Sequence, residues 1–409
     1  MENKYHLRKY LTAILLLICL SEPLRINLGP FQNTRSLIPF ILIIIVIANI
    51  GTIRLKIKEK IVDYQLLLIA LLLFVTALSS LVNIPLLDLN TLILFVTGLV
   101  SFFVAYYSFP IETNKQNTVV KIVISLISII ACLFSLISVI GLIFPASSLT
   151  LSNTLAVGKT TKYILYDYYR GRIYPLFNHD LSIPISAIFF GTNQVFILII
   201  LQTIALFASN YRGRIIVGIL AVLLILYIYQ RKTLRTFSIL IATSLILSIL
   251  LQTTNFLSRA SLRKSEDVDN IRSRLYYSIN AFKTGFSKPL LGVGVSNYLS
   301  YSPSVTLYSK GVTSSIRIPS TEHPHNTYAL IFAELGIPGT LLYLLFIGTF
   351  IKRDIKLLHK SSPFILGLTV SSWTFIVGSS LDWYSQNLFV YFMFIRGMLL
   401  ARQKSISYD

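Results

Sequence analysis

The 409-residue chain is poor in charge and poorer still in acid: 13% of its residues are charged, with 16 Asp and Glu against 36 Lys and Arg. So little charge, beside 54% hydrophobic residues and a mean hydropathy of +0.72, excludes a water-soluble globular domain of this size. There are two cysteines, Cys19 and Cys132, both inside apolar runs, which excludes a disulfide framework and a cysteine metal site. No Walker loop, aspartate-rich metal motif or nucleophile elbow occurs. Ionisable residues are sparse within the apolar runs, where Glu334 is the main acid, whereas a proton-coupled transporter would ordinarily carry more. In a soluble protein the net charge of +20 would point to nucleic acid; here the apolar runs exclude that partner. The basic charge must instead orient the chain in a membrane or hold an anion.

What the chain has in abundance is membrane-length apolar sequence. Runs long enough to cross a bilayer as helices lie near Leu11 to Leu28, Leu37 to Ile53, Tyr64 to Val82, Leu86 to Tyr107, Thr118 to Phe144, Leu181 to Ala208, Ile215 to Tyr229, Phe237 to Leu251, Thr327 to Ile351, Pro363 to Ser380 and Leu388 to Ala401. The first follows Lys4, Arg8 and Lys9 as a signal peptide would. Ser21-Glu22-Pro23 offers no small-x-small cleavage site, so it reads as a retained span. Basic short loops belong inside the cell, which assigns 54–60, 231–235 and 352–356 to the cytoplasm. That assignment requires Leu181 to Ala208 to cross twice or fold back. As one helix it would be about 42 Å long, more than the hydrocarbon core needs, and Gly191 to Gln194 offers a turn.

The expected fold is an all-α integral membrane protein of about twelve transmembrane helices with one long, partly helical outer loop. Three parts follow: an N-terminal bundle over 1–251 with outer segments 145–180 and 209–214, the outer loop over 252–326, and C-terminal helices over 327–409. In the loop, Ile271, Leu275, Ile279 and Phe282 recur at the spacing of one helix face. That face suits a helix lying on the outer membrane surface or an ordinary packing helix, and the two readings are compatible.

The outer segments are basic. Arg172, Arg212 and Arg214 flank membrane segments at the depth of a lipid-linked phosphate, where guanidinium groups make paired hydrogen bonds to phosphate oxygens. Arginines that merely anchor helix ends would look the same. The sharpest string is Glu322-His323-Pro324-His325-Asn326, where the loop meets the next span. Pro324 keeps the chain extended and Asn326 suits an N-cap. His325 then stands beside a positive helix terminus that favours its neutral form. A neutral imidazole, with an ordinary pKa of about 6.5, can take a proton from a hydroxyl. Two histidines one residue apart also raise zinc, but Glu322 and Glu334 do not complete a set of three or four ligands. Pro289-Leu-Leu-Gly292-Val-Gly294 reads as a tight turn.

The succession Arg274-Leu-Tyr-Tyr-Ser278-Ile-Asn-Ala281-Phe, then Pro289-Leu-Leu-Gly292-Val-Gly294, then His323-Pro-His325-Asn326 and Gly336-Ile-Pro-Gly339 resembles the outer-loop signature of the O-antigen polymerase and O-antigen ligase superfamily. Upstream, Arg172 through Asp180 resembles the family's Arg, Phe and Asn-Pro-Asn segment, with His-Asp in place of Pro-Asn. Tyr211-Arg212-Gly213 resembles its Ser-Arg-Gly, with Tyr in place of Ser. The resemblance implies a bacterial cell-membrane glycosyltransferase whose active site faces outward. It would use a polyprenyl-diphosphate-linked glycan as donor, a second such glycan as acceptor, no cofactor and no metal. In that reading His325, Arg212 and Arg172 are catalytic, while Arg214, Arg274, His323 and Asn326 bind substrate. Membrane lipid and a chain-length regulator would be partners. Polymerisation of repeat units leads; transfer to lipid A core, as by a ligase, and export by a lipid-linked oligosaccharide flippase are the alternatives.

Overall fold

The computed structural model describes residues 2–20, 34–58, 63–83, 89–108, 126–133, 166–167, 172–173, 179–186, 201–206, 217–221, 264–301, 305–307, 316–318, 323–324, 326–357, 363–381 and 386–406, with a few isolated positions besides. The long helices are α1 (Glu2–Leu20), α2 (Ile38–Lys58, led in by a 3-10 turn at Thr34–Leu37), α3 (Tyr64–Val82), α4 (Leu89–Ser108), α6 (Lys264–Ser287), α8 (Thr327–Leu357), α9 (Pro363–Leu381) and α10 (Gln386–Ile406). Two short helices, α5 (His179–Ser186) and α7 (Tyr298–Tyr301), lie between them. The all-α expectation needs one addition. Among the described residues two small antiparallel ladders occur, β1 (Tyr166–Asp167) with β2 (Arg172–Ile173) and β3 (Val305–Leu307) with β4 (Ile316–Ile318).

Among the described residues three helices are long and apolar enough to cross a membrane, within Tyr64–Val82, Thr91–Ser108 and Thr327–Lys356, and shorter apolar helices lie at Leu11–Leu20, Ile38–Gly51, Ile365–Ser380 and Asn387–Ala401. Each coincides with an expected span. The expected span at Phe237 to Leu251 and the turn at Gly191 to Gln194 lie outside the described residues.

Paired contacts fix how these helices run relative to one another. Asp63 caps α3 by accepting from Gln65 N–H at 2.9 Å and pairs with Arg353 near the end of α8 at 3.2 Å. At the other end of α3, Ser79 Oγ donates to the Glu334 carbonyl at 3.1 Å, so α3 and α8 are antiparallel. Asn387 Nδ2 at the start of α10 donates to the Cys19 carbonyl at the end of α1, at 2.8 Å, which holds those two helix ends together. The basic stretches 54–58 and 352–356 therefore share the end where Asp63 meets Arg353, as the charge argument requires. The run from Leu181 to Ala208 folds back on itself: Ser182 Oγ donates to Gln202 Oε1 at 2.8 Å, residues that one straight helix would hold about 30 Å apart.

Lipid offers no hydrophobic drive for one apolar helix to leave it for another, so association rests on close packing and buried polar contacts. α4 and α10 show the first. Gly397 lies against the Phe102 carbonyl, a space a Cβ would fill, and Phe102, Phe346, Phe350, Phe392 and Phe375 form a chain of ring contacts with centroids 4.6 to 6.5 Å apart. The second is an ion pair that sequence reasoning missed, because Asp354 stands in a basic stretch. Fully buried Arg396 donates to both Asp354 oxygens at 2.8 and 3.2 Å and to Ser372 Oγ at 3.3 Å. Trp373 Nε1 donates to Asp354 Oδ2 at 2.9 Å, and the guanidinium lies 3.8 Å over the Phe350 ring. This cluster ties α8, α9 and α10 together. Removing one charge strands the other: Asp354→Ala is expected to cost roughly 3–5 kcal/mol, and Asp354→Leu combined with Arg396→Met to recover most of it, both read as thermal unfolding in detergent.

Candidate functional site

The candidate site is built where the segment preceding Thr327 meets α8, and it begins with a broken helix. At Gly336 the backbone adopts φ 66° and ψ −163°, a region open in practice to glycine alone. Two residues on, Pro338 has no N–H to offer the Glu334 carbonyl. The break leaves Ile337 N–H, the Ala333 carbonyl and the Glu334 carbonyl without their ordinary helical partners, and buried backbone groups must find others.

The Pro289–Gly294 turn supplies them. Ile337 N–H donates to the Pro289 carbonyl at 2.8 Å, Val293 N–H to the Ala333 carbonyl at 2.9 Å, and Gly294 N–H to the Glu334 carbonyl at 3.0 Å. Ser79 Oγ of α3 donates to the Leu291 carbonyl at 2.5 Å as well as to Glu334, bolting turn, kink and α3 together. The turn approaches so closely that a Cβ on Gly292, itself at φ 62°, would run into the Glu334 carbonyl. The Glu334 side chain completes the junction, its Oε1 accepting from Ser296 N–H at 2.8 Å. Asn297 Nδ2 then donates to the carbonyls of Asn83 and Val293 at 3.1 and 3.0 Å.

Above this junction stands the first stretch of α8. Asn326 caps it as expected, Oδ1 accepting from Tyr328 N–H at 3.0 Å and Ala329 N–H at 3.1 Å. The stretch is held on two sides. Tyr328 OH donates to the Ile376 carbonyl of α9 at 2.9 Å, while Ala329, Leu330 and Ala333 pack with Ala281 of α6 and Tyr298 of α7. Tyr298 OH in turn donates to the Tyr277 carbonyl at 3.2 Å. His323 is partly buried and Pro324 fully buried just before the cap. The mouth of α8 is thus a fixed platform.

The remaining expected site residues divide by what is described. Arg274 lies on α6, the helix that packs against this platform. Arg172 lies in β2, its backbone opposite Asp167. His325, Arg212 and Arg214 lie outside the described residues. Sequence reasoning missed the role of Glu334 and the partnership of the two glycine strings. Each string announces a turn, but nothing local says that one turn completes the other.

Residues 196–344 match a family model described as O-antigen ligase. That segment, about a third of the chain, is similar to the O-antigen ligase and polymerase superfamily. Members of this superfamily are integral membrane enzymes that transfer glycosyl groups. No curated protein matches the chain. The match takes in α6, the Pro289–Gly294 turn, the His323–Asn326 string and the kink of α8, so the superfamily segment and the broken-helix junction are one piece of structure.

Changes at the junction should grade with the number of partners lost. Ser79→Ala removes one shared hydroxyl and is expected to cost about 1 kcal/mol. Gly336→Ala forces a side chain into the glycine-only region, and should release the turn while leaving the spans inserted. Limited proteolysis in lipid nanodiscs checks both: cleavage between residues 288 and 300 should rise strongly for Gly336→Ala and little for Ser79→Ala.

Proposed function

We propose that the chain is a polysaccharide polymerase of the bacterial cytoplasmic membrane, joining polyprenyl-diphosphate-linked oligosaccharide repeat units on the outer face. About twelve spans, arranged as the parts 1–251, 252–326 and 327–409, would carry the loop and its site to that face. The observation that carries the reading is the coincidence of the superfamily segment with a rigid platform at the mouth of α8, where His323 and Asn326 bracket His325 in sequence.

The chemistry follows from the residue types. The acceptor hydroxyl oxygen attacks the anomeric carbon of the donor, the bond from that carbon to the phosphate oxygen breaks, and the configuration inverts. His325 takes the hydroxyl proton. Arg172 and Arg212 hold the departing diphosphate, supplying the fixed positive charge that stabilises its developing negative charge. Arg214, Arg274 and His323 contact substrate. Asn326 has Oδ1 committed to the helix cap, so its contact with a sugar is made by Nδ2 as donor. The isoprenoid stays in lipid, each buried methylene contributing about 0.8 kcal/mol.

Purified protein in lipid, given the polyprenyl-diphosphate repeat unit alone, should produce a ladder of longer glycans. Product only after lipid A core is added would make it a ligase, as the description of the family model favours. Neither product, with movement of donor across the bilayer, would make it a flippase. Within that assay His325→Ala should lower transfer at least ~100-fold with insertion intact, and full activity would remove His325 from the chemistry. Arg172→Ala and Arg212→Ala should both weaken donor use; unchanged donor affinity in both would place the diphosphate elsewhere.

A further inference from the structure

The helix α6 has two faces, and the apolar one expected from sequence is not the one it buries. Tyr277, Asn280, Ala281 and Thr284 are buried, the side turned to α8 and α7. On the opposite side Leu275, Ile279, Phe282 and Phe286 form a stripe at helical spacing, and all four are exposed, Leu275 to 61% and Phe286 to 68%. The rings of Phe282 and Phe286 lap over buried Phe332 of α8, with centroids 5.8 and 5.0 Å away. Beyond the helix the stripe continues into Leu290, exposed to 75%.

The position of Leu290 identifies what this stripe meets. Its neighbour Pro289 accepts from Ile337 N–H, and its neighbour Leu291 accepts from Ser79 Oγ, one turn from the end of α3. At that level the membrane-length helices expose Leu81 and Val82 on α3 and Ile337 and Leu341 on α8. The stripe is therefore continuous with apolar surface that two membrane-length helices turn outward. Lysines flank it. Lys283 is exposed, and Lys288, stacked 4.2 Å over the Tyr301 ring, reaches Asn83 Oδ1 at 3.4 Å at the end of α3. An apolar stripe flanked by lysines at the end of a span has the chemistry of a helix seated in the headgroup layer, hydrocarbon beneath its stripe and phosphate beside its lysines.

We propose that α6 and Leu290 form an interfacial anchor inserted into the outer leaflet, with bilayer phospholipid as the occupant of the stripe. The anchor fixes the depth of the Pro289–Gly294 turn, and through it the height of the α8 mouth above the hydrocarbon. It requires membrane insertion but no particular transfer reaction.

The test places a nitroxide at single cysteines introduced by Ile279→Cys, Phe282→Cys, Phe286→Cys and Leu290→Cys in the full-length protein, reconstituted in phosphatidylethanolamine and phosphatidylglycerol nanodiscs. The parent chain, whose Cys19 is buried and Cys132 partly buried, is the labelling control. Collision with oxygen, which concentrates in lipid, is compared with collision with a water-soluble nickel complex. Oxygen should dominate at all four sites, by several-fold over labels in water. Free nickel access at Phe282 and Leu290 would put the stripe in water, and low access to both reagents would put it under protein, from this chain or a second copy; either result overturns the anchor. No glycan is involved, so loss of transfer activity and loss of the anchor are read separately.

Discussion

Everything at the mouth of α8 depends on a helix that cannot satisfy its own backbone. Gly336 turns the chain into a conformation only glycine tolerates, Pro338 withholds a donor, and three backbone groups are left for other segments to pair. In a membrane protein such groups cannot be left to lipid, because each unpaired one costs several kcal/mol. The Pro289–Gly294 turn meets that demand with one acceptor and two donors, and Ser79 locks both chains to α3. A loop that would otherwise be attached only at its ends is thereby fastened to the last turn of α3 and the kink of α8.

The same demand explains why residues far apart in the chain act together. The turn fastens α6, α6 and α7 pack against the first turns of α8, and those turns carry the Asn326 cap beside the histidine pair. At the opposite end of the bundle two ion pairs do the corresponding work. Asp63 with Arg353 aligns α3 and α8, and Asp354 with Arg396 joins α8 to α10. α8 is consequently held at both ends and broken between them.

Features governed by local chemistry were legible in the sequence. Asn326 announces itself as a cap because it follows Pro324 and precedes an apolar run, and the basic stretches at 54–58 and 352–356 share one end because charge sorts loops. Features that need a distant partner were not. Gly292 and Gly336 each read as a turn, yet their meeting rests on hydrogen bonds across some forty residues of loop, a distance no period or motif encodes. The stripe on α6 shows a subtler limit. Periodicity finds an apolar face, but it does not say whether protein or lipid will cover it, and here α8 took the opposite, smaller and more polar face of Tyr277, Asn280, Ala281 and Thr284. Asp354 was hidden by its basic neighbours, although a lone acid near the end of a span invites a search for a buried cation such as Arg396. Of the expected site, Asn326 is placed by its hydrogen bonds and Arg172 and Arg274 by their elements, while the assignment of His325 rests on its place in the superfamily string.

Amide hydrogen exchange on the protein in lipid nanodiscs, resolved at Val293, Gly294 and Ile337, tests the junction most directly. If these amides pair across the break in α8, all three exchange as slowly as the interior of α3, although two of them lie in a loop rich in glycine. Exchange of Val293 and Gly294 at the rate of an exposed turn would contradict the account, because the loop would then have no hold on the helix.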